Sequence, residues 1–381
     1  AQARAEVTRA IATFDIAAEE ATRITGEVLP LDITKSSEGF RGEWSRFPRG
    51  PVLGISPFNF PLNLVAHKVA PALACGCSLV LKPAPQAPLT ALLLETIVRE
   101  SGAPENAFQV VPCEVDVAEM MARDDRFATL SFTGSAKVGW HLKAISGKKQ
   151  VILELGGNAA AIVHDDANLT FAAERITAAA FGYAGQVCIK VQRAYLHAPI
   201  ADAVTDDLVT RARAIIPTDP LDPKAVLGPM IDEGNAKRVE SWVAEAKEAG
   251  ATVLVGGKRH GANMEATILQ IKGDGRGLKV VDEEVFGPVL TLHTYDSWSE
   301  ALELANASRY GLQAGIFTDS HTRIRQAFSQ LSVGGLIVGD TPSFRVDSMP
   351  YGGTRDSGLG REGVRFAIEE MTERKLLVYR F

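Results

Sequence analysis

A chain of 381 residues, 46% of them apolar and 23% charged, holds enough material for about two or three domains with buried cores and excludes a disordered or fibrous protein. A net charge of -6 with no basic block argues against a nucleic-acid partner, because a phosphate-binding surface needs clustered Lys and Arg. No stretch approaches the roughly 20 uninterrupted apolar residues of a membrane span, no basic segment leads into an apolar one at the N-terminus, and four cysteines make no disulfide framework, so the expected location is the cytoplasm.

Val7, Ile11, Phe14 and Ala18 recur at helical spacing and predict a helix that runs to Ile24 with no start signal ahead of it, so the chain is expected to lack an N-terminal part. Residues 29–48 read as an extended hairpin turning at Lys35-Ser36-Ser37-Glu38-Gly39, and a lone hairpin buries too little to stand by itself. From residue 51, strands at 52–56, 78–81, 108–111, 129–132 and 151–153 alternate with helices at 63–75, 89–101, 115–123 and 137–145. That rhythm predicts a doubly wound parallel sheet. A second alternating set follows from about Asn158 to about Phe344, with helices at 169–180, 200–214, 235–249, 298–308 and 321–331. Residues 375–381 read as a final strand that pairs with the hairpin or with a neighbour's sheet.

Cys188 falls on the turn between the helix at 169–180 and a strand at 191–197, after Gly182 and Gly185, which let the backbone approach a ligand. A thiol there is placed for nucleophilic attack; the alternative is a buried structural cysteine. Cys75 and Cys77 form a C-x-C pair at the end of an apolar helix and read as core packing. With no zinc-like spacing among the seven histidines, no metal site is expected.

Three segments stand in a telling order: Glu154-Leu155-Gly156-Gly157-Asn158, then Phe181-Gly182-Tyr183-Ala184-Gly185-Gln186-Val187-Cys188, then Glu284-Val285-Phe286-Gly287-Pro288. In that order they resemble the NAD(P)-dependent aldehyde dehydrogenase superfamily, along essentially the whole chain. The branch it most resembles includes lactaldehyde- and phosphonoacetaldehyde-type enzymes. The resemblance implies an α/β fold, with a Rossmann-like parallel-sheet cofactor domain over 1–28 and 49–154 that is incomplete at its N-terminus. It further implies oligomerisation strands at 29–48 and 369–381, a second α/β catalytic domain at 155–345, and a return to the cofactor domain at 346–368. Members usually carry further chain ahead of the first helix seen here, and their hairpin packs on a partner subunit, so a homodimer or homotetramer is expected.

For each matching residue the resemblance implies a role in oxidising an aldehyde to an acid. Cys188, as thiolate, adds to the carbonyl and carries a thiohemiacetal and then a thioester, because an aldehyde carbon does not easily expel hydride. Asn59, in Ser56-Pro57-Phe58-Asn59-Phe60-Pro61, matches the side-chain donor of the oxyanion hole, typically worth ~3 kcal/mol of barrier; its plain reading is a turn residue before a helix. Glu154 matches the general base that activates the hydrolytic water, and its plain reading is an exposed strand-end glutamate. Lys68 matches a lysine near the active site or is a solvated helix lysine, and both stay open.

The implied cofactor site has several parts. Gly134, Ser135 and Gly139 follow a strand and open a helix that faces a pyrophosphate. Lys82 matches the lysine at the adenosine ribose, Glu284 the carboxylate at the nicotinamide ribose, and Phe286 the ring beside the nicotinamide; Leu155 belongs to the same set. Many NAD-preferring members place a glutamate three residues after that lysine, and this chain has Pro85, so NAD and NADP both stay open.

The chain departs from the pattern at Phe58, Tyr351, Arg355, Gly339-Asp340, Lys190 and the glycine-rich run 273–277. Arg345 and Lys190 favour an anionic or oxygen-rich small aldehyde, unless both are solvated or paired with Asp347 and other acids. Two rival functions remain. A coenzyme A-acylating semialdehyde dehydrogenase needs no water-activating base, against which Glu154 speaks. A non-catalytic protein on the same fold predicts loss of Cys188, Glu154 or Asn59, all of which are in place.

Overall fold

The computed structural model describes residues 2–380; Ala1 and Phe381, which belong to the helix and final strand expected at the two ends, lie outside the described residues. The chain divides into two compact units. One holds Ala3–Glu154, Val346–Tyr351 and the chain from Leu359 onward; the other holds Leu155–Arg345 and Gly352–Gly358. The fold is α/β, as the alternation of strands and helices predicts.

In the first unit, the strand Val52–Ile55 is central, with Leu79–Lys82 and then Phe108–Val110 on one side, and Thr129–Thr133 and then Gln150–Glu154 on the other. The four pairings among these strands are parallel. Val52–Ile55 is buried throughout, as a strand covered on both faces requires. The order reverses between Val52–Ile55 and Thr129–Thr133, the place where a doubly wound sheet opens a ligand crevice at its carboxyl edge. The two loops at that place carry Asn59 and Gly134-Ser135.

Two features of this unit differ from the sequence reading. The first helix is Gln2–Ala21 and buries Ala10, Thr13 and Ala17, while Val7 and Ile11 face outward. Polar anchors set that rotation, since Thr13 Oγ1 donates to Asp347 Oδ2 at 2.9 Å and Arg9 donates to Asp347 Oδ1 at 2.8 Å. A helix at Val364–Met371, not anticipated from the sequence, packs on Asn63–Ala74 around Val65, Val69, Val364 and Ile368. Cys75 and Cys77 are buried in that core with their sulfurs 3.6 Å apart.

The hairpin strands Glu27–Pro30 and Phe40–Pro48 are antiparallel, and Thr372–Arg380 adds as a third strand along the whole of Phe40–Pro48. The final strand thus pairs with the hairpin of its own chain. Leu376, Leu377 and Val378 stay exposed on it.

The second unit is a seven-stranded sheet in the order Thr252–Val255, Thr267–Gln270, Val289–Tyr295, Arg193–His197, Ala160–Val163, Gln313–Phe317, Gly335–Val338. Only the Thr252–Val255 edge strand runs antiparallel. Helices Leu169–Phe181, Glu233–Glu248, Trp298–Asn306 and His321–Gln330 begin at Asn168, Asp232, Ser297 and Ser320, whose side chains accept from the first-turn N–H groups. The glycine-rich run 273–277, a departure from the family pattern, is a turn: Gly275 has φ 70°, and Gly277 N–H donates to Asp282 Oδ2 at 2.7 Å. Among the described residues no helix is long and apolar enough to cross a membrane.

Candidate active site

In the second unit the helix Leu169–Phe181 gives way to a tight turn at Gly182–Gly185 that leads to Cys188. Tyr183 (φ 56°), Ala184 (φ 53°) and Gly185 (φ 65°) are consecutive left-handed residues. Glycine takes that conformation freely; a side-chain-bearing residue held there costs on the order of 1–3 kcal/mol, which its surroundings must offset. A Cβ on Gly185 would lie 2.2 Å from the Gly287 carbonyl oxygen, and the buried Gln186 accepts from Ile231 N–H at 2.9 Å. The turn therefore presses against the Glu284–Pro288 loop and presents a half-buried Cys188.

Gly156 and Gly157 form the other wall. A Cβ on Gly157 would lie 2.9 Å from the Cys188 carbonyl oxygen, and one on Gly156 would lie 2.1 Å from Glu284 Oε2. Gly157 N–H donates to Glu284 Oε1 at 3.0 Å. Gln192, fully buried and not singled out by its sequence, locks the junction: its amide donates to the Val280 and Glu283 carbonyls at 3.0 and 2.6 Å and accepts from Val285 N–H at 2.9 Å. Cys188, Glu284 and Phe286, the last at φ 46°, are thus brought together. Leu155 is a buried side chain whose N–H donates to the Ser357 carbonyl at 3.0 Å.

Lys190 corrects an expectation. It is not solvated: it is 2% exposed, and its Nζ donates to the Val289 carbonyl at 2.6 Å. Burial pulls its pKa down to about 7, opposed by the negative charge of Glu284. Burial likewise raises Glu284 to about 7, opposed by the Gly157 N–H and by the cations Lys190, Arg238 and Arg309. Asp347, offered as a partner for Lys190 or Arg345, is engaged by Arg9, Thr13 and His67. Arg345 is half-buried, two residues past Ser343, whose hydroxyl donates to the Ile189 carbonyl beside Cys188 at 2.8 Å.

In the first unit, Glu154 ends its strand at 4% exposure, opposite Thr133, and its carbonyl accepts from Gly134 N–H at 3.0 Å. The plain reading of an exposed strand-end glutamate is thereby corrected. Asn59 is also buried, in the loop ahead of Asn63–Ala74 and next to the left-handed Phe60 (φ 47°). The start of that helix is capped from afar, with Glu6 Oε1 accepting from the Leu62 and Asn63 N–H groups at 2.7 and 3.0 Å. Lys68 is fully buried rather than solvated. Its Nζ donates to Thr133 Oγ1 at 2.7 Å, Ser131 Oγ at 3.0 Å and Glu362 Oε1 at 3.2 Å. Those partners are far off in the chain, and no local pattern announces them.

The residues expected to hold a dinucleotide fit one. Ser135 precedes the helix Ala136–Ile145, makes no capping bond of its own, and no acid occupies the first turn, so the positive helix end stays open to an anion. A Cβ on Gly134 would lie 2.5 Å from the Phe132 ring. Gly139 is buried and its N–H returns to the Ser135 carbonyl at 3.0 Å. Lys82 ends a neighbouring strand, opposite Ile55, and is mostly buried.

The sequence model of the aldehyde dehydrogenase family matches residues 1–377. A 3-sulfolactaldehyde dehydrogenase from Priestia aryabhattai is 44% identical over 378 residues, covering 99% of this chain and 79% of that protein. Aldehyde dehydrogenase 21 from Physcomitrella patens, solved with the reaction product succinate, superposes with a TM-score of 0.96 at 46% identity, over 100% of this chain and 79% of that one. The glyceraldehyde-3-phosphate dehydrogenase of Methanocaldococcus jannaschii, solved with NADP, gives a TM-score of 0.94 at 36% identity, over 100% and 82%. On these matches the chain belongs to the aldehyde dehydrogenase family and is an NAD(P)-dependent oxidoreductase acting on aldehydes.

Proposed function

We propose that Cys188 is the nucleophile, Glu154 the general base and Asn59 an oxyanion donor in the oxidation of an aldehyde to a carboxylic acid. The observation that carries this reading is the Cys188 turn itself, strained through Tyr183 and Ala184 and held against the Glu284–Pro288 loop. Bound NAD(P)+ supplies the hydride acceptor. Cys188 thiolate adds to the carbonyl carbon, and Asn59 stabilises the oxygen that becomes negative. The tetrahedral carbon can now lose hydride, and Cys188 retains the acyl group as a thioester. Glu154 takes a proton from water, the resulting hydroxide attacks the acyl carbon, the C–S bond breaks, and the acid leaves with Cys188 restored as thiolate. Glu284, Phe286, Lys82, Gly134, Ser135, Gly139 and Leu155 hold the dinucleotide. Lys68 is a positioning residue beneath the end of the Thr129–Thr133 strand.

The substrate is a short aldehyde with an anionic end. The Priestia relative is named for a sulfonated aldehyde and the Physcomitrella enzyme was solved with succinate. We infer that Arg345 meets that end; its segment is tied to Ile189 by Ser343 and to the Gln313 amide through the Pro342 and Phe344 carbonyls, which supports the reading. NAD and NADP reduction is measured against anionic and neutral aldehydes, beside Cys188→Ala and Arg345→Ala. We expect no turnover in Cys188→Ala, and in Arg345→Ala about a tenfold or greater rise in KM for anionic aldehydes alone. Turnover in Cys188→Ala refutes the nucleophile, and an equal rise for neutral aldehydes refutes the specificity.

The exposed Leu376, Leu377 and Val378 support pairing of this three-stranded sheet with a second copy, as a homodimer or homotetramer. We infer a cytoplasmic location from the sequence, in which four cysteines make no disulfide framework.

A further inference from the structure

The second unit carries a cluster of ligating side chains that the oxidation does not use. Ala160–Val163 and Arg193–His197 are neighbouring parallel strands with Val163 opposite Leu196, so His164 and His197 emerge side by side at their carboxyl ends. Their rings stack with centroids 4.2 Å apart. Asp165 reaches both, with Oδ1 2.5 Å from His164 Nδ1 and Oδ2 3.5 Å from His197 Nδ1. The Cys188 loop enters the sheet at the opposite, amino edge, where Gln192 N–H donates to the Ala159 carbonyl.

The place is a natural ligand site. From Ala160–Val163 the chain passes to Arg193–His197 on one side and later to Gln313–Phe317 on the other, so the strand order reverses at this strand. The ligating atoms also lack a consistent set of partners. His164 Nδ1 faces both the Asp165 N–H, at 2.9 Å, and the Asp165 carboxylate, and one proton cannot satisfy both. His197 Nδ1 is buried with no hydrogen-bond partner among the described residues. A cation shared by the two imidazole nitrogens and the carboxylate supplies the partner that His197 Nδ1 lacks, and on His164 it takes the one lone pair of Nδ1 in place of the Asp165 N–H.

We propose that His164, Asp165 and His197 form a binding site for a divalent transition metal of the zinc class. Two nitrogens and one carboxylate oxygen suit such an ion, whereas magnesium and calcium prefer all-oxygen sites. Zinc bonds of about 2.0–2.2 Å at tetrahedral angles separate donors by roughly 3.3–3.5 Å, the spacing of Asp165 Oδ2 and His197 Nδ1. Three protein ligands leave a fourth position for water. The supporting shell is built: Tyr295 stacks on His197 at 5.3 Å, Trp298 meets His164 edge-on at 5.7 Å, and Tyr295 hydroxyl donates to the Val163 carbonyl at 3.1 Å. Asp166, next in the chain, accepts from Thr318 and Arg323 through Oδ2, while its Oδ1 lies 3.6 Å from His164 Nδ1 and adds a second carboxylate oxygen beside the site. The ion would tie two central strand ends together and stabilise the unit.

The test uses the whole chain with Cys188→Ala, stripped with chelator, so that the candidate nucleophile cannot compete for metal. Zinc is titrated by calorimetry and cobalt by its visible spectrum. We expect one ion per chain, a cobalt spectrum without sulfur charge transfer, and a rise in Tm on adding zinc. His197→Ala and His164→Ala should each weaken binding at least about tenfold. Asp165→Asn changes a surface-reaching side chain and should weaken binding without altering the fold, which covers failure of the histidine variants to fold. Binding unchanged in Asp165→Asn and His197→Ala, a thiolate signature, or no stoichiometric binding overturns the proposal.

Discussion

The Glu284 carboxylate occupies the space beside the Gly156 backbone, so that a Cβ on Gly156 would lie 2.1 Å from Glu284 Oε2. Position 156 is therefore glycine because a carboxylate must reach past it to the Gly157 N–H. Gly156→Ala should push Glu284 aside and raise KM for the cofactor by about tenfold or more, with a smaller effect on KM for aldehyde. Steady-state kinetics on the variant checks this; a change confined to the aldehyde KM contradicts it.

Burial raises the pKa of that same carboxylate, and Lys190 is one of the groups that oppose the rise. With Glu284 raised to about 7, its ionised form, which we propose accepts from the cofactor ribose, is lost as pH falls through that value, and cofactor KM should climb below it. Lys190 lowers the Glu284 pKa, so Lys190→Met should move the midpoint upward and weaken cofactor binding most near neutrality. Towards about pH 9 the two enzymes should converge, because Lys190, itself lowered to about 7, is then neutral. Cofactor KM against pH for both proteins decides it.

Much of this was legible in the sequence, for identifiable reasons. The first sheet could be read because its strands are buried on both faces and therefore appear as short apolar runs, such as Val52–Ile55. The Cys188 turn could be read because its glycines lie within a few residues of the thiol. What stayed hidden depends on residues distant in the chain. Lys68 looked like a helix lysine because its partner Glu362 is remote, and Lys190 looked solvated because nothing local reveals that the Val289 carbonyl receives it. The apolar spacing of the first helix shows the helix but not its rotation, since it gives no weight to Thr13, which Asp347 draws inside. His164 and His197 carried no metal-like spacing because strand register, not sequence, makes them neighbours.

Lys68 and Glu362 are a buried ion pair, with His67 Nδ1 3.5 Å from the second Glu362 oxygen, and removing Lys68 takes away the lysine ammonium from that buried carboxylate. Lys68→Met should destabilise the protein by about 3–5 kcal/mol, and adding Glu362→Leu should restore much of the loss. Urea unfolding of the two variants measures it; a double variant as unstable as the single one contradicts the pairing.

The central claim is that Glu154 acts after the oxidation, on a thioester held by Cys188. Rapid mixing of Glu154→Gln with aldehyde and NAD(P)+ tests it directly. The account predicts a single burst of reduced cofactor close to one per active site, with the acyl group trapped on Cys188 and visible by mass spectrometry, and then near-complete arrest. Steady turnover at the wild-type rate, or no burst from a folded variant that binds cofactor, contradicts it.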